Sequence, residues 1–202
     1  AEWLYHGLLE LRPAAEIIQL TGRVGLDLLP SSIDLAGAEV ELVDMRQRER
    51  KLATLLAPER DRYDVILVDC PPSLGLLTIN ALVFADEVIV PVQCEYLALE
   101  GLSELTVTVD RVRQAFNPRL RLSGLVMTMF DPRLNLAQQV VQQVRAHFPQ
   151  TFTTVIPRSV RLGEAPSFGQ SILEYAPASK GAQAYLTLAG ELLDRGSVGA
   201  AR

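Results

Sequence analysis

Tyr63-Asp64-Val65-Ile66-Leu67-Val68-Asp69-Cys70-Pro71-Pro72-Ser73 is a short apolar run that ends in an acid and two prolines. Val, Ile and Leu in a run too short for a stable helix, bounded by turn residues, predict a parallel strand covered on both faces. Proline cannot continue the ladder, so Asp69 is expected at the strand's carboxyl end, where open α/β sheets receive ligands. There its carboxylate suits Mg²⁺ held through coordinated water. The prolines stiffen the exit from the sheet, and Ser73 is expected to cap a helix over 74–84. A stiff loop at a helix N-terminus suits the sensing of a phosphate or an attacking water.

Working outward from this run, short apolar segments alternate with helical periods. Strands are expected at 26–29, 65–68, 88–92, 122–129 and 152–156. Ser32 is expected to cap a helix through Glu41. Leu102, Leu105, Val109, Val112 and Phe116 share one helical face, which Asn117-Pro118 ends, and Leu136, Val140, Val144 and Phe148 repeat the device. A last helix is expected over 179–193, followed by a small, polar flexible tail at 194–202. The alternation implies an α/β fold with a mostly parallel sheet, flanking helices and right-handed crossovers.

Composition narrows the function classes. The chain has 202 residues, 49% of them hydrophobic, and a net charge of −5. It is long enough for one sizeable domain and is not generally basic, so any nucleic-acid contact is regional. Arg111, Arg113, Arg119, Arg121, Arg133, Arg145, Arg158 and Arg161 provide such a region, against the single carboxylate Asp131 between positions 111 and 161. Cys70 and Cys94 are the two cysteines. Their apolar neighbours predict reduced, packed thiols. No apolar run approaches a membrane span. His6 and His147 lack ligand partners at metal spacing, Cys94 lacks a CxxC partner, Glu95 and Glu100 suit helix capping, and Ser73 lies outside any G-x-S-x-G elbow.

Asp69-Cys70-Pro71-Pro72-Ser73-Leu74-Gly75-Leu76-Leu77-Thr78-Ile79-Asn80-Ala81-Leu82, followed by Pro91-Val92-Gln93-Cys94-Glu95-Tyr96 and Ala98-Leu99-Glu100-Gly101-Leu102, resembles the ParA/Soj family of chromosome-partitioning ATPases. Leu29 to Glu39 upstream and Ile156 to Gly169 downstream extend the resemblance over nearly the whole chain. It implies a P-loop NTPase of the deviant Walker type: a cytoplasmic, nucleoid-associated protein that dimerises with ATP and Mg²⁺, binds DNA without sequence specificity and is stimulated by a ParB-like partner, with no membrane anchor. By that resemblance Asp69 is the Walker B acid, placing Mg²⁺ through water. Pro71 and Pro72 belong to the second switch, Met129, Pro157 and Arg158 border the adenine, and Arg133 and Arg161 bind DNA phosphates. A plasmid or cell-division positioning ATPase with the same engine and different cargo is the related alternative.

One departure is large. The family opens on a glycine-rich, lysine-bearing phosphate loop and a first switch with a catalytic aspartate. Lys51 and Lys180 are the only lysines here, and neither lies in a glycine-rich strand-to-helix turn. The expectation is therefore an incomplete ATPase domain over 1–202, lacking the first βα unit and inactive as written. N-terminal truncation is the simpler account, agreeing with the first residue being Ala1; a non-catalytic DNA- and partner-binding paralogue is the alternative.

Overall fold

The computed structural model describes residues 3–95 and 98–197. The chain divides into two compact units, Ala1–Asp86 with Leu105–Leu120, and Glu87–Glu104 with Arg121–Arg202.

In the first unit, α1 (Leu4–Leu8) and α2 (Ala14–Ile17) lead into a hairpin of β1 (Gln19–Leu20) and β2 (Asp27–Leu28). This pair is antiparallel, with Gln19 opposite Leu28, so the run expected as a parallel strand at 26–29 is instead one arm of a short hairpin. α3 (Leu35–Glu41) follows, and its N-cap is Asp34. Ser32, expected to cap it, turns its hydroxyl to the Asp34 carboxylate at 3.0 Å. α4 (Lys51–Leu56) and α5 (Leu76–Phe84) are the remaining α-helices up to Asp86.

Leu8, Ala14, Leu52, Leu56, Ala81 and Phe84 form the buried cluster of this unit. Asn80, 1% exposed, is the polar tie inside it. Its Oδ1 accepts from the Leu52 N–H at 3.1 Å, and its Nδ2 donates to the Arg48 carbonyl at 2.7 Å and the Leu76 carbonyl at 2.9 Å. These bonds satisfy the polar end of a buried side chain and tie α5 to the start of α4, so the asparagine in the α5 motif has a packing role.

α6 (Ala98–Ala115) buries Leu102, Val109 and Val112 along the face its periodicity marked. Asn117 ends it, its Nδ2 donating to the Leu82 carbonyl at 3.0 Å and the Ala85 carbonyl at 2.7 Å.

The second unit contains the parallel sheet. β3 (Glu87–Gln93), β4 (Arg121–Phe130) and β5 (Val155–Pro157) lie in the order β3-β4-β5, and both pairings are parallel. α7 (Asn135–His147) connects β4 to β5, burying Val140 and Val144 while Leu136 is exposed. α8 (Val160–Glu164), α9 (Ile172–Tyr175) and α10 (Lys180–Ser197) follow. Helix α10 runs through 194–197, part of the expected tail; residues 198–202 lie outside the described residues.

The fifth strand begins later than its apolar pattern indicates. Phe152 still donates its N–H to the Leu125 carbonyl at 2.8 Å. The next two N–H groups, of Thr153 and Thr154, turn instead to the Glu191 carboxylate at 2.7 and 3.0 Å. A side chain takes the donors that a ladder would have used, and the strand starts at Val155.

Candidate functional site

Tyr63 to Ser73 does not form the predicted buried strand. Residues 65–68 have no ladder partner among the described residues, and Val65, Leu67 and Val68 are 63%, 81% and 38% exposed. Ile66 alone of the apolar run packs against the first unit's core. Tyr63 anchors the start of the segment, its hydroxyl donating to Asp27 Oδ2 at 2.8 Å. Asp69, Pro71, Pro72 and Ser73 follow as exposed, irregular chain. Apolar composition gave this run its strand preference, but a buried parallel strand needs hydrogen-bonding neighbours along its edges and helices over its faces.

The helix after this loop starts at Leu76, with Gly75 rather than Ser73 as its N-cap. A carboxylate from α3 approaches that end: Glu39 Oε1 accepts from the Leu77 N–H at 3.5 Å. A Cβ on Gly75 would lie 1.9 Å from the same oxygen, so only glycine permits this approach. Negative charge at a helix N-terminus is favourable, and the sequence reading missed Glu39 because its partner lies 38 residues away.

The carboxyl ends of β4 and β5 bring three sequence-predicted residues together. Phe130 is aligned with Pro157, and the Arg158 N–H donates to the Phe130 carbonyl at 2.9 Å. Met129 is the exposed residue just before this pairing, with φ at 55°. A left-handed methionine is uncommon, and the ladder is irregular between Met127 and Phe130. The irregularity leaves Met129 exposed one residue before the Phe130–Pro157 pairing, at the sheet end where α/β proteins receive ligands.

Beyond Phe130 the chain turns through Asp131-Pro132-Arg133-Leu134, closed by the Leu134 N–H donating to the Asp131 carbonyl at 3.1 Å. Aspartate first and proline second suit such a turn. Arg133 is extensively exposed. Arg158 and Arg161 are exposed as well, the latter on α8. Arg133 pairs with Asp131 at 2.6 Å; elsewhere in the basic region Arg113 pairs with Asp110 at 2.9 Å, Arg121 pairs with Glu87, and Arg145 donates to the Thr153 carbonyl at 2.8 Å.

The remaining candidates have local roles. Cys94 is buried, and burial pushes its thiol up to about 11. Cys70 is exposed, contrary to the packed thiol expected there, because the run that should have enclosed it is itself uncovered. His6 Nδ1 accepts from the Trp3 N–H at 3.2 Å, and His147 Nδ1 lies 2.8 Å from the Gln143 carbonyl. Glu95 is exposed, and the side chain of Glu100 lies outside the described residues. No group of three metal-capable side chains occurs among the described residues. None of their helices is long and apolar enough to cross a membrane.

A family model described as an AAA domain matches residues 1–122. The chain is 51% identical over 193 residues to the chromosome partitioning protein ParA of Myxococcus xanthus, covering 95% of this chain and 68% of that protein. It is 48% identical over 194 residues to the sporulation initiation inhibitor protein Soj of Bacillus subtilis, covering 96% and 77%. Among solved structures, cobyrinic acid a,c-diamide synthase from Mycobacterium smegmatis with bound ATP analogue and magnesium superposes with a TM-score of 0.83 at 35% identity, covering 98% of this chain and 74% of that one. The cell division ATPase MinD of Pyrococcus furiosus shares the fold at a TM-score of 0.74 and 22% identity, covering 96% and 76%. The α/β architecture is that of the P-loop NTPases, and the chain belongs to the ParA/Soj family of chromosome-partitioning ATPases.

Proposed function

We propose that this chain is the switch and DNA-binding part of a partition ATPase, in which Arg133 and Arg161 contact DNA phosphates and Met129, Pro157 and Arg158 border the adenine of ATP. The observation that carries the reading is the convergence of Met129, Pro157 and Arg158 at the carboxyl ends of two parallel strands, with Arg133 exposed on the turn that leaves β4. The similarity to ParA and Soj supports partition as the process served. In that process ATP brings two protomers together, and two weak DNA surfaces act as one, until a ParB-like partner stimulates hydrolysis and release.

The residues of this chain do not by themselves fit ATP and Mg²⁺. Asp69 offers one carboxylate on an exposed, irregular segment, and the two lysines of the sequence, Lys51 and Lys180, lie outside any glycine-rich turn. Lys51 is moreover committed to Glu10 at 2.6 Å. Phosphate binding in this fold class needs a cradle of backbone N–H groups and a lysine. The 202 residues alone are therefore expected to lack tight ATP binding and hydrolysis, with Asp69, Pro71 and Pro72 serving as Walker B acid and second switch where a phosphate loop is supplied.

Binding to random-sequence duplex tests the DNA reading. Arg161→Glu is expected to weaken retention at low salt by about tenfold, since a phosphate contact becomes a repulsion. Unchanged retention across a salt titration would remove Arg161 from the interface.

A further inference from the structure

In the positive region from Arg111 to Arg161 the one carboxylate, Asp131, is spent on one of its arginines. Arg133 Nε donates to Asp131 Oδ1 at 2.9 Å and Nη2 donates to Oδ2 at 2.6 Å. The same Oδ1 accepts from the Arg133 backbone N–H at 3.0 Å. The pair is lopsided in exposure, the Asp131 side chain being 13% exposed and that of Arg133 86%. Pro132 stands between them, and its carbonyl accepts from Gln138 Nε2 of α7 at 2.8 Å, which ties the turn to a helix. The contact is thus a bidentate fork held by a stiff turn, a stronger arrangement than an ordinary surface ion pair.

We propose that Asp131 is an autoinhibitory contact on Arg133, holding the guanidinium as a phosphate would and setting how much of its charge a DNA backbone can use. The inference rests on the reading of Arg133 as a DNA contact. A carboxylate engages the fork with the geometry a phosphate uses. Incoming DNA must displace Asp131 or accept the outer Nη1 edge with a negative charge directly behind it. Either route weakens binding per protomer, leaving more of the affinity to be gained when two protomers act together. Asp131 is ionised throughout the working range, its carboxyl held down to about 2 chiefly by the side-chain hydrogen bond from Arg133, so the contact persists until something competes for it.

Anisotropy titrations of the chain with a labelled random-sequence duplex, over a series of salt concentrations, test this with Asp131→Asn, Arg133→Ala and the double variant. Asparagine retains an oxygen for the Arg133 backbone N–H, so the turn is kept while the charge is removed. Asp131→Asn is expected to tighten binding about two- to fivefold, the range of an ion pair released. The slope of log K against log salt should steepen by up to about 0.9, one further phosphate neutralised. In the double variant the gain should vanish relative to Arg133→Ala. Unchanged or weaker binding by Asp131→Asn, or a gain that survives without Arg133, overturns the proposal while leaving the DNA reading intact. Absence of duplex binding by the unsubstituted chain and all variants instead overturns the DNA reading and the inference with it. Should thermal melting show that Asp131→Asn does not fold, Asp131→Ser, whose hydroxyl can accept the same backbone bond, takes its place under the same criteria.

Discussion

Glu191 and Arg195, one turn apart on α10, divide between them the polar groups that the approach to β5 leaves unpaired. The Glu191 carboxylate accepts from the N–H groups of Thr153 and Thr154 and from the Thr154 hydroxyl at 2.9 Å. Arg195 donates to the carbonyls of Gln150 at 2.7 Å and Thr151 at 3.3 Å, and its guanidinium lies 3.8 Å over the Phe152 ring. The two side chains also pair with each other at 2.8 Å. Burial alone would raise the Glu191 carboxyl, but the donors from Thr153, Thr154 and Arg195 outweigh it and bring it down to about 2. Its folded value lies below the ordinary 4.5, so its stabilisation is complete above pH 4.5 and is lost as pH falls toward 2. Glu191→Gln is expected to cost about 1–3 kcal/mol at neutral pH. Urea melts of the two proteins between pH 6 and pH 2.5 should converge progressively as the pH falls from about 4.5 toward 2.5; parallel curves would show that the charge is not what matters. None of this was legible in the sequence, where Glu191 is an ordinary helix-face carboxylate and its partners lie 37 and 38 residues away.

At the scale of elements, hydrophobic period proved most informative where an element meets its partners within the chain. β4, expected over 122–129, spans Arg121–Phe130, and α7, expected over 135–148, spans Asn135–His147. Both have partners on the faces their patterns marked, and Leu125 and Met127 at the centre of β4 are fully buried. The capping assignments were less legible. Ser32 and Ser73 each have the right residue type two positions early, and Asp34 and Gly75 cap instead. A cap depends on backbone direction at the entry to the helix, which residue type does not encode. Gly124 in β4 illustrates a constraint that period also hides. A Cβ there would lie 2.5 Å from Phe152 Cε2 and 2.8 Å from the Gln150 carbonyl oxygen, and the second is backbone that cannot swing aside. Gly124→Ala is therefore expected to destabilise by about 1–3 kcal/mol through overpacking, despite its better strand and helix propensity. Chemical denaturation reads the effect directly, and a stability within 0.5 kcal/mol of the unsubstituted chain would show that the loop before β5 yields.

At the scale of the whole molecule, the run that identified the family is also one that its surroundings leave largely uncovered. Tyr63 to Ser73 names the fold through its composition, yet Val65 and Leu67 stand exposed, with ladder donors and acceptors that no described strand pairs. Recognition of the family required only the order of residues, whereas burial of the strand requires neighbours, and these are different demands on the same eleven positions. An exposed apolar segment with unpaired backbone groups is a template for association with another chain. The 202-residue chain is accordingly expected to self-associate through this segment as its concentration rises. Leu67→Lys should reduce light scattering and binding of an apolar dye, because lysine in an unpaired apolar segment opposes pairing with another chain. Its melting temperature should stay within about 2 °C, since surface substitutions cost little. A fall of many degrees would mean that Leu67 is covered in solution, and would return the segment to the interior strand that its sequence describes.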